Sequence, residues 1–190
     1  MRLLGIAVAL ATALALPANA LTLPQSGKLS FDVVRKGKDI GDHNYRFSGN
    51  EGSFSVVVDT DVLVKVPLIR ITAYSFKHNS TEVWKGGKLQ QLSSATNDDG
   101  EPHELTTKGK GVLPASLWND DIVRSGKLMN TIDGKVIKVR TADLGTDSVK
   151  TKRGSVSAHH YRLSGGLERD LWYDDDGNLA RVAFKADDGS

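Results

Sequence analysis

The chain of 190 residues carries a formal net charge of +2 and contains no cysteine. Its acids and bases are spread along the sequence without a basic block, which gives no support to nucleic-acid binding, because that function usually shows as a clustered basic stripe. The lack of cysteine excludes disulfide bonds and a lipid attached to a processed N-terminal cysteine. We therefore expect packing and β-sheet hydrogen bonds to supply the stability.

The first twenty residues have the pattern of a cleavable secretory signal peptide. Arg2 precedes an apolar run over residues 3–16, and Pro17 is followed by Ala18-Asn19-Ala20, the small-x-small pattern that signal peptidase reads. The run is shorter than the roughly 20 apolar residues that a spanning helix needs. We expect export to a bacterial periplasm without a membrane span, and a single antiparallel β domain over residues 21–190.

The mature sequence alternates apolar and polar residues with a period near two, and turn signals interrupt it about every ten residues. About a dozen predicted strands in chain order favour an all-β fold, a large curved antiparallel meander that forms a half-barrel or barrel. One short helix is predicted near residues 114–123, because Pro114 suits a first helical turn.

Two interruptions are predicted in this pattern. Asp59-Thr60-Asp61 separates two apolar runs of the β-branched region 53–66 and indicates a bulge or bend within a long strand pair. Asn79-Ser80 indicates a turn between a long strand over residues 68–78 and a short strand over residues 81–84.

Neither the acidic turns nor the histidines predict a metal site, and no cofactor is expected. Residues 174–178 are rich in oxygen ligands but lack the twelve-residue spacing and distal Glu of an EF-type loop, so we interpret them as a hairpin turn. His159 and His160 are neighbours in a predicted strand and point to opposite faces, so they cannot chelate one metal. The other histidines are far apart in sequence and converge only if the fold brings them together: His43, His78 and His103.

Catalytic motifs are absent from the sequence. Cysteine is missing, and Ser164-Gly165-Gly166 lacks the flanking glycines of a nucleophile elbow. A hydrolase would have to assemble its site from scattered groups such as Asp42, His43 and Glu82. We therefore expect that the protein is not an enzyme and keep a hydrolase as the least favoured alternative.

Aromatic residues are the better candidates for a binding site. Each tryptophan lies beside charged residues at the end of a predicted strand or helix, and a buried tryptophan needs a partner for its indole N–H. The tryptophans therefore either pack in the core or line the mouth of a cavity. Segments such as 62–64 are apolar on both faces, so one face can pack while the other lines a hollow. The candidate ligand-binding residues are Trp84, Trp118, Trp172, Tyr74, Asp42 and His43.

Four short motifs carry a resemblance that covers nearly the whole mature chain. They are Gly37-Lys38-Asp39-Ile40-Gly41-Asp42-His43, Glu82-x-Trp84, Ser94-x-Thr96-Asn97-Asp98-x-Gly100 and Leu171-Trp172-Tyr173-Asp174. On these motifs the chain resembles a family of uncharacterised exported proteobacterial proteins. That family has no established activity, so the resemblance implies no catalytic residues. Members of that family continue with a last apolar strand where this sequence has Asp187-Asp188-Gly189-Ser190, so we expect the final strand pair to be incomplete.

More distantly, the chain is similar to exported half-barrel proteins of the lipoprotein-carrier type, whose curved antiparallel sheet holds lipid or acyl chains. The leading expectation is therefore a periplasmic, non-enzymatic binding or carrier protein for an apolar or amphiphilic ligand such as a lipid. The alternative is an envelope protein that works through structural or protein contacts. An exposed edge strand or apolar patch in place of an internal cavity would favour that alternative.

Overall fold

The computed structural model describes residues 23–65, 71–152 and 154–185, so the predicted signal peptide lies outside the described residues. The described chain is almost entirely strand, which confirms the predicted all-β class of curved antiparallel meander. The strands form two six-stranded sheets that do not close into a barrel. Among the described residues, no helix is long and apolar enough to cross a membrane.

The first sheet is built from the N-terminal half of the chain. Its strands lie side by side in chain order, and every neighbouring pair is antiparallel. Short turns with glycine join β1 to β2, β2 to β3, β4 to β5 and β5 to β6, as the alternating pattern predicts. The strands are β1 (Lys28–Arg35), β2 (Lys38–Asn50), β3 (Ser53–Lys65), β4 (Thr72–Lys85), β5 (Lys88–Asp98) and β6 (Glu101–Lys108).

The second sheet is built from the C-terminal half, again with neighbouring strands in chain order. Its strands are β7 (Leu113–Pro114), β8 (Lys127–Met129), β9 (Val136–Thr151), β10 (Gly154–Gly165), β11 (Arg169–Asp174) and β12 (Leu179–Ala183). Only the pair β7 and β8 is parallel among these pairs. Between β11 and β12, the Asp174 carboxylate accepts hydrogen bonds from the amides of Asp176 and Asn178. The acidic stretch is thus the predicted hairpin turn.

Residues 115–132, which we call the inserted segment and which include β8 of the second sheet, contact both sheets. The segment contains a five-residue 3-10 helix, Asp120–Arg124, whose first turn is capped by the Asn119 side chain. This turn takes the place of the short helix predicted near residues 114–123. The difference has two local causes. Pro114 is part of the strand β7 and pairs with Met129 of β8, and Leu117 has a φ of 68°, which a right-handed helix does not allow.

One continuous apolar core joins the two sheets through the inserted segment. Its most deeply buried side chains come from all three parts of the chain, which explains why the sheets stay together without a shared strand pair. From the first sheet they include Tyr45, Val56, Trp84 and Leu92, from the inserted segment Ile122 and Leu128, and from the second sheet Leu163 and Leu171.

The two predicted interruptions are wrong. β3 pairs regularly with both neighbours through residues 59–61, and β4 runs without a turn through Asn79 and Ser80. Asn79 pairs with Asp59 and with Ala95, and Ser80 pairs with Val58 and Ser94. Pairing on both sides of a central strand outweighs the local turn preference of asparagine and serine.

Candidate functional site

The face of the first sheet that packs on the core, here called its inner face, arranges its side chains in rows. Residues directly opposite one another on neighbouring strands share a face, so the strand register defines which side chains stand together. One row runs from Phe47 through Val56 and Glu82 to Leu92, and the next from Tyr45 through Val58 and Ser80 to Ser94. Polar groups therefore interrupt the core in the middle of the sheet.

Glu82 is a buried carboxyl group between two tryptophans. The indole Nε1 atoms of Trp84 and Trp118 both donate to Glu82 Oε2, each over 2.9 Å. The two indole rings meet edge to face, with centroids 5.4 Å apart. Burial raises the pKa of Glu82, and the surrounding donors, Ser116 and the two indoles, oppose that effect. Two predicted site residues thus meet in the core, where Trp118 anchors the inserted segment to the first sheet.

Two tyrosines hold the inserted segment from opposite sides. Tyr45 of the first sheet donates its hydroxyl to the carbonyl of Ser116 over 2.6 Å, and Tyr173 of the second sheet donates to the carbonyl of Leu117 over 2.7 Å. Burial raises the pKa of both phenols. The hydroxyls therefore stay protonated and able to donate across the neutral range.

A row of three histidines crosses the inner face next to the tyrosine row. The fold brings these histidines together although they are far apart in sequence. Two of them are paired with hydroxyls: His43 Nδ1 lies 2.6 Å from Thr60 Oγ1, and His78 Nδ1 lies 2.7 Å from Thr96 Oγ1. The members of this histidine row, in order across the sheet, are Phe31, His43, Thr60, His78, Thr96 and His103.

His43 and His78 of the histidine row carry uncharged imidazoles at neutral pH. Burial, with repulsion from His78, lowers the pKa of His43 to about 4 against an opposing attraction from Asp59. Burial also lowers the pKa of His78. In the described part of the chain, no group of three or more suitable side chains could hold a metal ion. The two neutral rings can each donate or accept a hydrogen bond, depending on their tautomers.

The lowered pKa of His43 predicts a loss of stability in acid. The unfolded chain takes up a proton below its ordinary pKa of 6.5, whereas folded His43 stays neutral until about pH 4. The unfolded state therefore binds more protons in this window, so the free energy of unfolding falls as the pH drops from 6.5 through 4. Denaturant titrations at several pH values should show a weaker pH dependence for His43→Asn than for the wild type. Equal slopes for the two proteins would contradict the assignment.

The inner face continues past the histidine row onto a set of half-exposed apolar side chains. Phe76 stacks on His78 with centroids 6.2 Å apart and an interplanar angle of 17°. Tyr74, 36% exposed, pairs with Val64 and donates its hydroxyl to the Asp98 carboxylate over 2.8 Å. The members of this distal apolar patch are Val62, Val64, Tyr74 and Phe76, and none of them belongs to the main core.

Trp172 lies apart from the other two tryptophans, in a small separate cluster on the second sheet. Its ring is held between the His160 imidazole, at 4.1 Å, and the Arg181 guanidinium, at 4.7 Å. Its Nε1 donates to Asp147, and the two ring nitrogens of His160 face Asp147 and Asp170. This cluster satisfies its own polar groups, and sequence reasoning missed it because it spans four strands, β9 to β12.

The remaining predicted site residues do not form one site. Asp42 pairs with Asp32 and Asp61 on the solvent-facing side of the first sheet, whereas its neighbour His43 points to the inner face. The groups considered for a hydrolase, Asp42, His43 and Glu82, therefore do not converge. Two open depressions of about 490 and 460 Å³ are lined largely by polar residues of the solvent-facing side, such as Asn79 and Glu104.

The sequence was compared with known families, curated proteins and solved structures. No curated protein and no solved structure matches it. One family profile does match, over residues 31–190, and it includes all twelve strands except the start of β1. The chain therefore belongs to the family described as a domain of unknown function, DUF6134.

Proposed function

We propose that the protein is an exported, non-enzymatic binding or carrier protein of the periplasm that takes an amphiphilic ligand on the inner face of its first sheet. The observation that carries the proposal is the junction of the distal apolar patch with the histidine row. The ligand's apolar part lies on Val62 and Phe76, and its polar group faces His43 and His78. Export rests on the signal-peptide pattern of residues 1–20.

Apolar side chains beyond the core favour this assignment. Contiguous apolar surface that a fold leaves exposed commonly marks a binding site, and covering it contributes roughly 25 cal/mol per Å². Phe76 and its neighbours continue the face that packs on the core, yet they lie outside the main core cluster. The apolar part of a bound amphiphile would cover this patch and continue the apolar core along the inner face.

The polar half of the ligand is matched by the imidazoles. The Nδ1 atoms of His43 and His78 face threonine hydroxyls, while their Nε2 atoms form no hydrogen bond with the described residues. A neutral imidazole nitrogen can donate or accept a hydrogen bond, depending on its tautomer. The ligand's polar group is therefore an oxygen function, such as a hydroxyl, ester or carboxyl group.

Mass spectrometry of an organic extract tests the proposal. The mature protein, purified gently from the periplasm, should release a stoichiometric amphiphile that is missing after refolding from denaturant. Phe76→Ser should retain about tenfold less of it, because an aromatic ring contributes at least the 1.4 kcal/mol that corresponds to that factor. Val83→Ser, on the solvent-facing side of the same strand and 40% exposed, should retain it fully. An empty native extract, or equal loss from both variants, would refute the proposal.

A function through protein contacts is the second candidate, and the open sheets favour it. β6 is an edge strand of the first sheet, with eight residues whose outward backbone groups have no neighbouring strand in the described structure. Such an edge can accept a strand from a partner. An empty extract together with a reproducible cross-link from β6 in intact cells would favour this candidate.

A further inference from the structure

The edge strand β6 directs a regular set of backbone groups away from its own sheet. It pairs with β5 without a register shift, and the turn that joins the two strands consists of Asp99 and Gly100. In such a hairpin the pair that flanks the turn exchanges both hydrogen bonds, and bonded pairs then alternate along the ladder. The Gly109 amide keeps this alternation, since it donates to the Gln90 carbonyl over 2.8 Å. The even-numbered residues of 102–108 therefore direct their backbone groups outward.

Two of these even-numbered residues carry opposite charges on the solvent-facing side of the sheet. Glu104 and Lys108 are both exposed. The residues opposite them on β5 are Ala95 and Gln91, which are uncharged. The neighbouring strand therefore does not balance either charge, and both side chains lie along the edge where another strand would pair.

An antiparallel second copy of β6 matches these groups in one register. When Thr106 lies opposite Thr106 of the second copy, Glu104 of each copy lies opposite Lys108 of the other. The amides and carbonyls of these residues then all find partners, and each carboxylate faces an ammonium group. The Lys108 carbonyl already accepts from the Thr107 hydroxyl over 3.2 Å, and its second lone pair can accept the amide of the second copy.

The neighbouring registers are less favourable. A two-fold axis at Glu104 would place two carboxylates directly opposite each other, which is destabilising. An axis at Leu105 would include Pro102 in the ladder, and proline has no N–H to donate. An axis at Thr107 would leave Glu104 beyond the end of the facing strand. Only the axis at Thr106 therefore combines a full set of backbone hydrogen bonds with charge complementarity.

We propose that β6 pairs with β6 of a second copy of the chain, antiparallel and about a two-fold axis at Thr106. The pairing joins the two first sheets into one continuous sheet and closes the edge that β6 leaves open among the described residues. It names a second copy as the occupant of this edge. It does not depend on the proposed ligand site, because Val62 and Phe76 lie on β3 and β4, away from the edge.

A single introduced cysteine tests the pairing, because the sequence contains none. Opposite residues of a bonded pair have Cα atoms about 5.5 Å apart, which is within the reach of a disulfide. Mature protein with Thr106→Cys, oxidised in a glutathione buffer, should become mostly covalent dimer. Gln91→Cys is the matched control, since Gln91 is exposed on the same side one strand in from the edge, and it should stay monomeric. Equal linking of the two variants would overturn the proposal.

A charge exchange tests the register. In sedimentation equilibrium at low salt, Glu104→Lys and Lys108→Glu should each dimerise about tenfold more weakly than the wild type, because both symmetry-related ion pairs become like-charge pairs. A mixture of the two variants restores opposite charges in both pairs, and so does the double variant Glu104→Lys with Lys108→Glu. Both should regain the wild-type affinity.

Circular dichroism should show that every variant is folded. Wild-type protein that stays monomeric at millimolar concentration, or a mixture that associates no better than either single variant, would overturn the proposal. The single variants should still release the native amphiphile on extraction, so a failure of the pairing and a failure of the ligand site can be told apart.

Discussion

Replacing Glu82 with alanine is expected to lower the free energy of unfolding by about 4 kcal/mol, because two buried indole donors lose their acceptor at once and a cavity forms. Trp84 and Trp118 both donate to this one carboxyl oxygen. Loss of the hydrogen bond from Trp118 would also loosen the inserted segment from the first sheet. Urea denaturation followed by tryptophan fluorescence measures both effects, and a loss below about 1 kcal/mol would contradict the central role of this group.

Glu82→Gln separates the charge of this group from its hydrogen bonds. The amide oxygen can still accept from both indoles, so we expect this variant to keep most of the stability. The pKa of Glu82 is raised above its ordinary value of 4.5, so above pH 4.5 the unfolded chain loses this proton before the folded chain does. The stabilising contribution is complete below 4.5 and is lost as the pH rises through the folded pKa. Glu82→Gln should therefore remove a decline in stability that begins as the pH rises above 4.5.

Replacing Tyr45 and Tyr173 together with phenylalanine is expected to lower the free energy of unfolding by about 3 kcal/mol. Each hydroxyl satisfies one carbonyl of the inserted segment, and these carbonyls belong to the adjacent residues Ser116 and Leu117. Because both bonds fix the same turn, the double variant should lose a different amount from the sum of the two single variants. A double-mutant cycle in urea measures the difference.

Tyr161→Phe is the control for the tyrosine pair. Tyr161 is a half-buried residue of β10 that packs against the same core, but its hydroxyl forms no hydrogen bond with the described residues. Its replacement should change stability by no more than about 0.5 kcal/mol. If Tyr161→Phe costs as much as Tyr45→Phe, the hydroxyl contacts with the inserted segment are not the cause.

The sequence predicts the class of this fold better than its division into sheets. Alternation and glycine turns mark most strand pairs, because each hairpin is a local structure of adjacent residues. The split into two sheets depends on what residues 115–132 do, and their course depends on remote partners. Leu117 adopts a positive φ where its carbonyl accepts from Tyr173, a contact across 56 positions that no local pattern reveals.

The candidate site, like the division into sheets, could be predicted only in part from the sequence. The sequence indicates that tryptophans and His43 matter, but it cannot tell which of them share a face across several strands. Register alone places His43, Thr60 and His78 in one row and sends Asp42 to the other side. Knowledge of the register between β2, β3 and β4 would have revealed the histidine row. A shift of one residue in the register turns every side chain of a strand to the other face, so the register decides which side chains meet.

The separation of the two sheets in sequence bears on how the chain acquires its structure. Among the residues that the structure describes, no strand pair links the first sheet to the second, so all strand pairs of the first sheet are complete before any residue of the second is needed. During synthesis from the N-terminus, the first sheet can form as a unit, but its apolar side stays uncovered until the inserted segment follows. For the same reason, a chain cut near Gly111 leaves two fragments with intact pairing that could reassemble through their shared apolar surface.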